Sequence, residues 1–154
     1  MEMNEQQKID TILIALQERY TSVHAIRERV QTVSLWILGL LLAASGWLFQ
    51  AGIYFNCKQK IILTIFSLVI WFVLNRFYFS DLEKGFNSQR RTLAKIEDSL
   101  GFYKKSYFSN SEDSLYPQEW KNSGQKNSEG NFFENTYNLL AIGFGIFTLS
   151  MLLF

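Results

Sequence analysis

Few side chains in this sequence could perform chemistry, and they do not converge. His24 is the only histidine and Cys57 the only cysteine. General acid–base and nucleophilic catalysis both need a base within reach of a hydroxyl, a thiol or a second carboxylate. No serine, cysteine or paired carboxylate stands at such a spacing from His24. It lies beside an apolar helical stripe and reads as a surface or interhelical residue. A lone cysteine cannot close an internal disulfide, and no Cys or His cluster has metal-ligand spacing, so Cys57 reads as a small interfacial residue. Gly143 and Gly145 sit in an apolar run with no strand before them. They therefore make no dinucleotide fingerprint, and no GxxxxGK(S/T) phosphate loop is present. The nearest approach to a polar cluster at lipid-headgroup depth is Asn75, Arg76 and Asp81, which is thin material for a lipid-directed enzyme. No catalytic residue, cofactor or metal is expected, and the sequence argues against an enzyme.

Long stretches without charge dominate instead. Apolar residues make up 48% of the 154 positions, but they are concentrated. Residues 30–57 and 136–154 carry no charge, and Arg76 is the only charge between Ile61 and Ser80. A bilayer core of about 30 Å needs about 20 helical residues at about 1.5 Å rise each, so all three stretches are long enough to cross. The predicted fold class is all-α, an integral membrane protein with three transmembrane helices. No cleavable leader pattern is present, because the first thirty residues are charged and helical in pattern. The first span, at about 33–55, is expected to act as an uncleaved anchor.

The net charge of +1 argues against direct nucleic-acid binding, while its distribution sets an orientation. Arg19, Arg27 and Arg29 flank the first span. Arg76, Lys84, Arg90, Arg91 and Lys95 follow the second, and Lys121 and Lys126 precede the third. The short link between the first two spans has only Lys58 and Lys60. The positive-inside tendency then places the N-terminus and the 80–135 segment in the cytoplasm and the C-terminus outside, in a multi-pass protein of the cell (inner) membrane.

Two apolar stripes lie outside the spans. Ile9, Ile12, Leu13, Leu16, Tyr20, Val23, Ile26 and Val30 recur at helical spacing before the first span. Phe79, Leu82, Phe86, Leu93, Ile96 and Leu100 continue that rhythm after the second, interrupted at Gln89 and Arg90, with Gly101 placed to end the helix. The link at 56–60 is short enough to pack the first two spans antiparallel, so their continuations emerge side by side as a two-helix cytoplasmic stalk. The stripes either close on each other within one chain or are completed by neighbouring subunits. In the second case Leu16, Tyr20, Val23, Leu82, Phe86, Leu93, Ile96 and Leu100 form the stalk and oligomer interface.

Three segments follow. Residues 1–101 hold the amphipathic helix, the two-span hairpin and the stalk helix, 102–135 form a polar cytoplasmic connection, and 136–154 are the C-terminal span. Within the connection, residues 122–131 have the least capacity to bury anything. Pro117, Glu119 and Trp120 open a short helical element, and Tyr116 and Trp120 are candidates for docking.

Within the spans, Gly39 with Ala43 and Ala141 with Gly145 are small residues four apart, a spacing that lets helices approach closely in lipid. Ionisable residues inside spans mark ion pathways, and the span interiors have none. Arg76 is a candidate membrane anchor, its long side chain reaching the headgroups, or a pore-mouth residue. Ser34, Ser45, Gln50, Thr64, Ser67, Asn138, Thr148 and Ser150 are available to bond across helices or to wet a pore. A channel of this composition would be mostly hydrophobic and gate by dewetting. Trp36, Trp47, Tyr54, Trp71, Tyr78 and Tyr137 suit interfacial anchoring.

The order of parts resembles small bacterial defence-associated membrane proteins. It comprises an amphipathic helix, a tight two-span hairpin, an exiting helix through Arg90, Arg91, Leu93, Ile96, Glu97 and Leu100, and the stretch Leu115-Tyr116-Pro117-Gln118-Glu119-Trp120. Over residues 5–121 the chain is similar to the SLATT two-span effector domains and the related octameric membrane proteins that accompany nuclease-based defence systems. The third span departs from that two-span pattern. The resemblance implies a homo-oligomeric inner-membrane effector that permeabilises or depolarises the membrane in antiphage defence, triggered by a cytoplasmic sensor, nuclease or signalling protein. The alternative is a non-permeating anchor or scaffold that docks a cytoplasmic partner.

Overall fold

A computed structural model describes residues 4–52, 54–107, 113–125 and 131–153, which are helical with no strand among them. Helix α1 spans Glu5–Ala51, α2 Cys57–Val73, α3 Ser80–Ser99 and α4 Phe132–Leu153. A π-helical segment, Leu74–Phe79, joins α2 to α3, and Gln118–Asn122 forms a 3-10 turn. Three stretches are long and apolar enough to cross a membrane: α1, the continuous helix Cys57–Ser99, and α4.

Local chemistry explains where each helix starts and stops. α1 ends at Gly52, whose φ of +58° is the left-handed conformation that glycine adopts without penalty. The Asn56 side chain then accepts from the Gln59 amide at 2.9 Å, and the Gln59 side chain accepts from the Asn56 amide at 3.0 Å. This reciprocal capping box satisfies two otherwise orphaned donors and begins α2 within the 56–60 link. α3 stops where Gly101, at φ +83°, lets the Phe102 amide return to the Glu97 carbonyl at 3.1 Å. α4 begins four residues ahead of the charge-free stretch: the Asn131 carbonyl accepts from the Asn135 amide at 2.7 Å, drawing residues 132–135, Glu134 among them, into the first turn.

The chain divides into two compact units. Unit 1 comprises Met1–Arg27 and Lys84–Gly130, and unit 2 Glu28–Glu83 and Asn131–Phe154. In unit 1 the early part of α1 packs on α3. Leu16, Val23 and Leu93 are buried together, with Tyr20, Phe86, Ile96, Leu100 and Phe102 packed around them. The two sequence stripes therefore meet within one chain. The apparent interruption at Gln89 is no break in α3, since Gln89 accepts a hydrogen bond from Arg19 at 2.8 Å and fills the gap in the stripe with a polar cross-link.

In unit 2, α2 and α4 pack side by side. The two run antiparallel: Lys60 donates to the Leu152 carbonyl at 2.8 Å near one end, and Tyr137 donates to Glu83 at 2.8 Å near the other. Phe79 is fully buried, edge-on to the Tyr137 ring. Gly143 faces α1 so closely that a Cβ there would meet the Leu38 Cδ1 at 2.7 Å.

Candidate functional site

Unit 1 carries a polar cluster inside its apolar core. Glu97 is the one buried charged side chain among the described residues, 5% exposed. A carboxylate out of water needs strong donors, and its place near the C-terminal end of α3, where the helix dipole is negative, adds to that need. Two tyrosines supply them. Tyr20 of α1 donates to one carboxylate oxygen at 2.5 Å, and Tyr103, just past the helix end, donates to the other. The Tyr116 hydroxyl lies 3.4 Å from that of Tyr20. Burial first, and then the hydrogen bonds to Glu97, hold both donor tyrosines well above the usual phenol range, so they stay protonated.

The segment after α3 folds back to close this cluster. The Tyr116 amide donates to the Phe102 carbonyl at 3.0 Å, and the Gln118 side chain donates to the Tyr103 carbonyl. Tyr116 packs edge-on to Phe102 and against Trp120. Arg90 donates to Ser123 at 3.0 Å, and Arg91 donates to the Gly124 carbonyl at 2.5 Å. Ser123 and Gly124 are buried, contrary to the low packing capacity read for 122–131. Gly124, at φ +79°, allows this approach, since a Cβ would meet the Asn87 carbonyl oxygen at 2.4 Å. Residues 126–130 of that stretch lie outside the described residues.

In unit 2, polarity is turned inward. Large apolar residues face out, Trp36 at 70% exposure among them, with Leu35, Leu40, Ile62, Phe66, Ile142 and Leu149. Hydroxyl residues are buried: Ser34, Ser45, Ser67, Thr136 and Ser150. Those on α1 and α4 are satisfied by their own helix. Ser34 donates to the Val30 carbonyl and Ser45 to Leu41, both at 2.7 Å, while Thr136 donates to Phe132 and Ser150 to Ile146, both at 2.8 Å. α2 and the π-helical segment after it behave differently. Thr64 Oγ1, Ser67 Oγ, Trp71 Nε1 and Asn75 Oδ1 are buried and have no hydrogen-bond partner among the described residues.

Seven of the eight residues expected at the stalk interface meet in the unit 1 core; Leu82 falls in unit 2, half-buried. The small-residue pairs sit elsewhere. Gly39, Ala43, Ala141 and Gly145 are exposed, with nothing within 4 Å of a Cβ placed on either glycine, so they are not what packs these helices within the chain. Arg76 is exposed on the π-helical segment. Tyr116 is half-buried in its own chain and Trp120 is 49% exposed. Among the described residues no group of three or more His, Cys, Asp or Glu could hold a metal.

The sequence reading passed over the role of Glu97 as the centre of a cluster, and the pairing of Trp71 and Asn75 with Thr64 and Ser67. Spacings of three, four and four along α2 were the available signal for the second. The first depends on a turn that no periodicity encodes. Comparison with family models, with curated proteins and with solved structures finds no match.

Proposed function

We propose that the chain is a multi-pass inner-membrane protein that self-associates and permeabilises or depolarises the bilayer when a cytoplasmic partner acts on unit 1. The observation that carries this reading is the polarity of unit 2, with large aliphatic and aromatic side chains outside and the hydroxyls of Ser34, Ser45, Ser67, Thr136 and Ser150 inside. That surface suits lipid rather than water, in which an exposed apolar patch of this extent is unstable. The outward Gly39, Ala43, Ala141 and Gly145 offer backbone approach to other copies in a lipid setting, where small residues favour helix association. The charge bias keeps unit 1 in the cytoplasm, and the architectural resemblance supplies the antiphage context.

The test is membrane potential in cells expressing the chain with its gene neighbours and challenged by phage. Depolarisation that is lost on replacing Leu93 and Ile96 by Asp supports the reading; a potential that stays unchanged under challenge refutes it.

A second reading, a docking scaffold without permeation, is favoured by the half-exposed Trp120 ring, held 5.5 Å from Tyr116. There, Trp120→Ala would abolish partner recruitment in cells that never depolarise.

A further inference from the structure

Three polar atoms on α2, and a fourth on the π-helical segment that follows it, are out of place in the packing of unit 2. Thr64, Ser67, Trp71 and Asn75 follow one face of the helix at spacings of three and four, covering about 16 Å at about 1.5 Å per residue. Each buries a donor or acceptor without a partner among the described residues. Ser67 is 3% exposed, yet unlike the buried serines of α1 and α4 its hydroxyl does not bond back to its own helix. Leaving a buried polar group unpaired is unfavourable in any protein interior and more so at membrane depth, where water is absent. A whole face of such groups describes a helix whose polar side is satisfied in another arrangement.

The chain contains the device for reaching it. At the last member of this face, Asn75, the helix has already widened into the π-helical segment Leu74–Phe79, in which the Ser80 amide bonds to the Asn75 carbonyl five residues back. A single-turn π segment accommodates one extra residue without changing the phase of the helices on either side, and such segments recur at functional sites. If it tightens to an α-helix, α2 must turn relative to α3 by one residue's rotation, about 100° at 3.6 residues per turn.

We propose that α2 lines the permeation path, and that a turn at Leu74–Phe79, with Asn75 at the pivot, carries Thr64, Ser67 and Trp71 from the interior of unit 2 to a water-filled face; the packing described above is the closed form. The inference rests on the permeation reading and identifies the helix and the residues that meet the permeating water. It also explains why α1 and α4 need no such residues, since their buried hydroxyls are already satisfied.

The test uses the full-length chain reconstituted in liposomes, with Cys57→Ser as background, and reads two signals: dissipation of an imposed potassium gradient, and modification by a membrane-impermeant, positively charged methanethiosulfonate. Ser67→Cys is expected to be modified and its modification to change the leak, while Leu68→Cys, on the lipid-facing side of α2, stays unmodified. Deleting Phe77, an exposed residue of the π segment, converts the segment to α-helix without turning α2. Ser67→Cys modification should then fall to the Leu68→Cys rate, with helix content and particle size unchanged. An unmodified Ser67→Cys in leaking liposomes overturns the proposal, as does equal modification of both positions or modification that persists without Phe77. If the liposomes stay tight, both signals are read in cells that express the chain with its gene neighbours under phage challenge: an unchanged potential there refutes the permeation reading, modification of Ser67→Cys supports the turn, and an unmodified Ser67→Cys in depolarised cells overturns it.

Discussion

Tyr20 on α1 donates a 2.5 Å hydrogen bond to Glu97 on α3, joining positions 77 apart in the chain. With Tyr103 on the other carboxylate oxygen, it turns a group that would oppose folding into a clasp between α1, the end of α3 and the returning segment. Tyr20→Phe or Tyr103→Phe should each destabilise unit 1 by about 1–3 kcal/mol, the range for a buried group left unpaired. Hydrogen exchange of the α3 amides would show the loss locally.

The same clasp sets a pH limit. Both tyrosines bind their protons more tightly when folded than at the ordinary value of 10.0. Above about pH 10 the unfolded chain therefore releases protons that the folded chain keeps, and stability must fall as pH rises. Below that pH the contribution is fully present. Thermal unfolding in detergent between pH 8 and 11 should show this decline, and the Tyr20→Phe, Tyr103→Phe double variant should flatten it.

Leu93 is 1% exposed at the centre of the unit 1 core, so Leu93→Ala should cost about 2–5 kcal/mol. Leu35→Ala, at a position exposed on unit 2, should leave stability nearly unchanged. Denaturant titration in mild detergent compares the two directly.

Two glycines should behave in opposite ways. Gly124→Ala forces a Cβ against the Asn87 carbonyl at a positive φ, so the segment bearing Trp120 should detach from α3, raising protease sensitivity near residue 120. Gly145→Leu meets nothing within its own chain and should leave the fold intact while weakening self-association, read by crosslinking in native membranes.

Much of the fold was legible because helical periodicity and charge-free length are local properties. The stripes through Leu16, Tyr20 and Val23 and through Phe86, Leu93 and Ile96 pointed to partners of equal period, and they pack together. Gly101 ended α3 as its conformational freedom suggested. What stayed hidden depends on three-dimensional return. Glu97 reads as an ordinary surface acid of a polar helix until the turn beyond Gly101 brings Tyr103 back to it. The interruption of the apolar stripe at Gln89 and Arg90 leaves α3 continuous, with Gln89 accepting from Arg19, whereas the irregularity at Leu74–Phe79 coincides with Asn75 and Arg76, residue types that mark a polar position and not a π turn. Gly39, Ala43, Ala141 and Gly145 were visible as small residues, but only the helix orientations show that they face away from the rest of the chain.

The most direct test of the central claim is the membrane potential of cells that express the chain over a range of levels together with its gene neighbours and are challenged by phage. The account predicts depolarisation that rises more steeply than in proportion to protein density, as assembly requires, and that is reduced in Gly145→Leu. A potential held at every level under challenge, by protein shown to be inserted and folded, would contradict it.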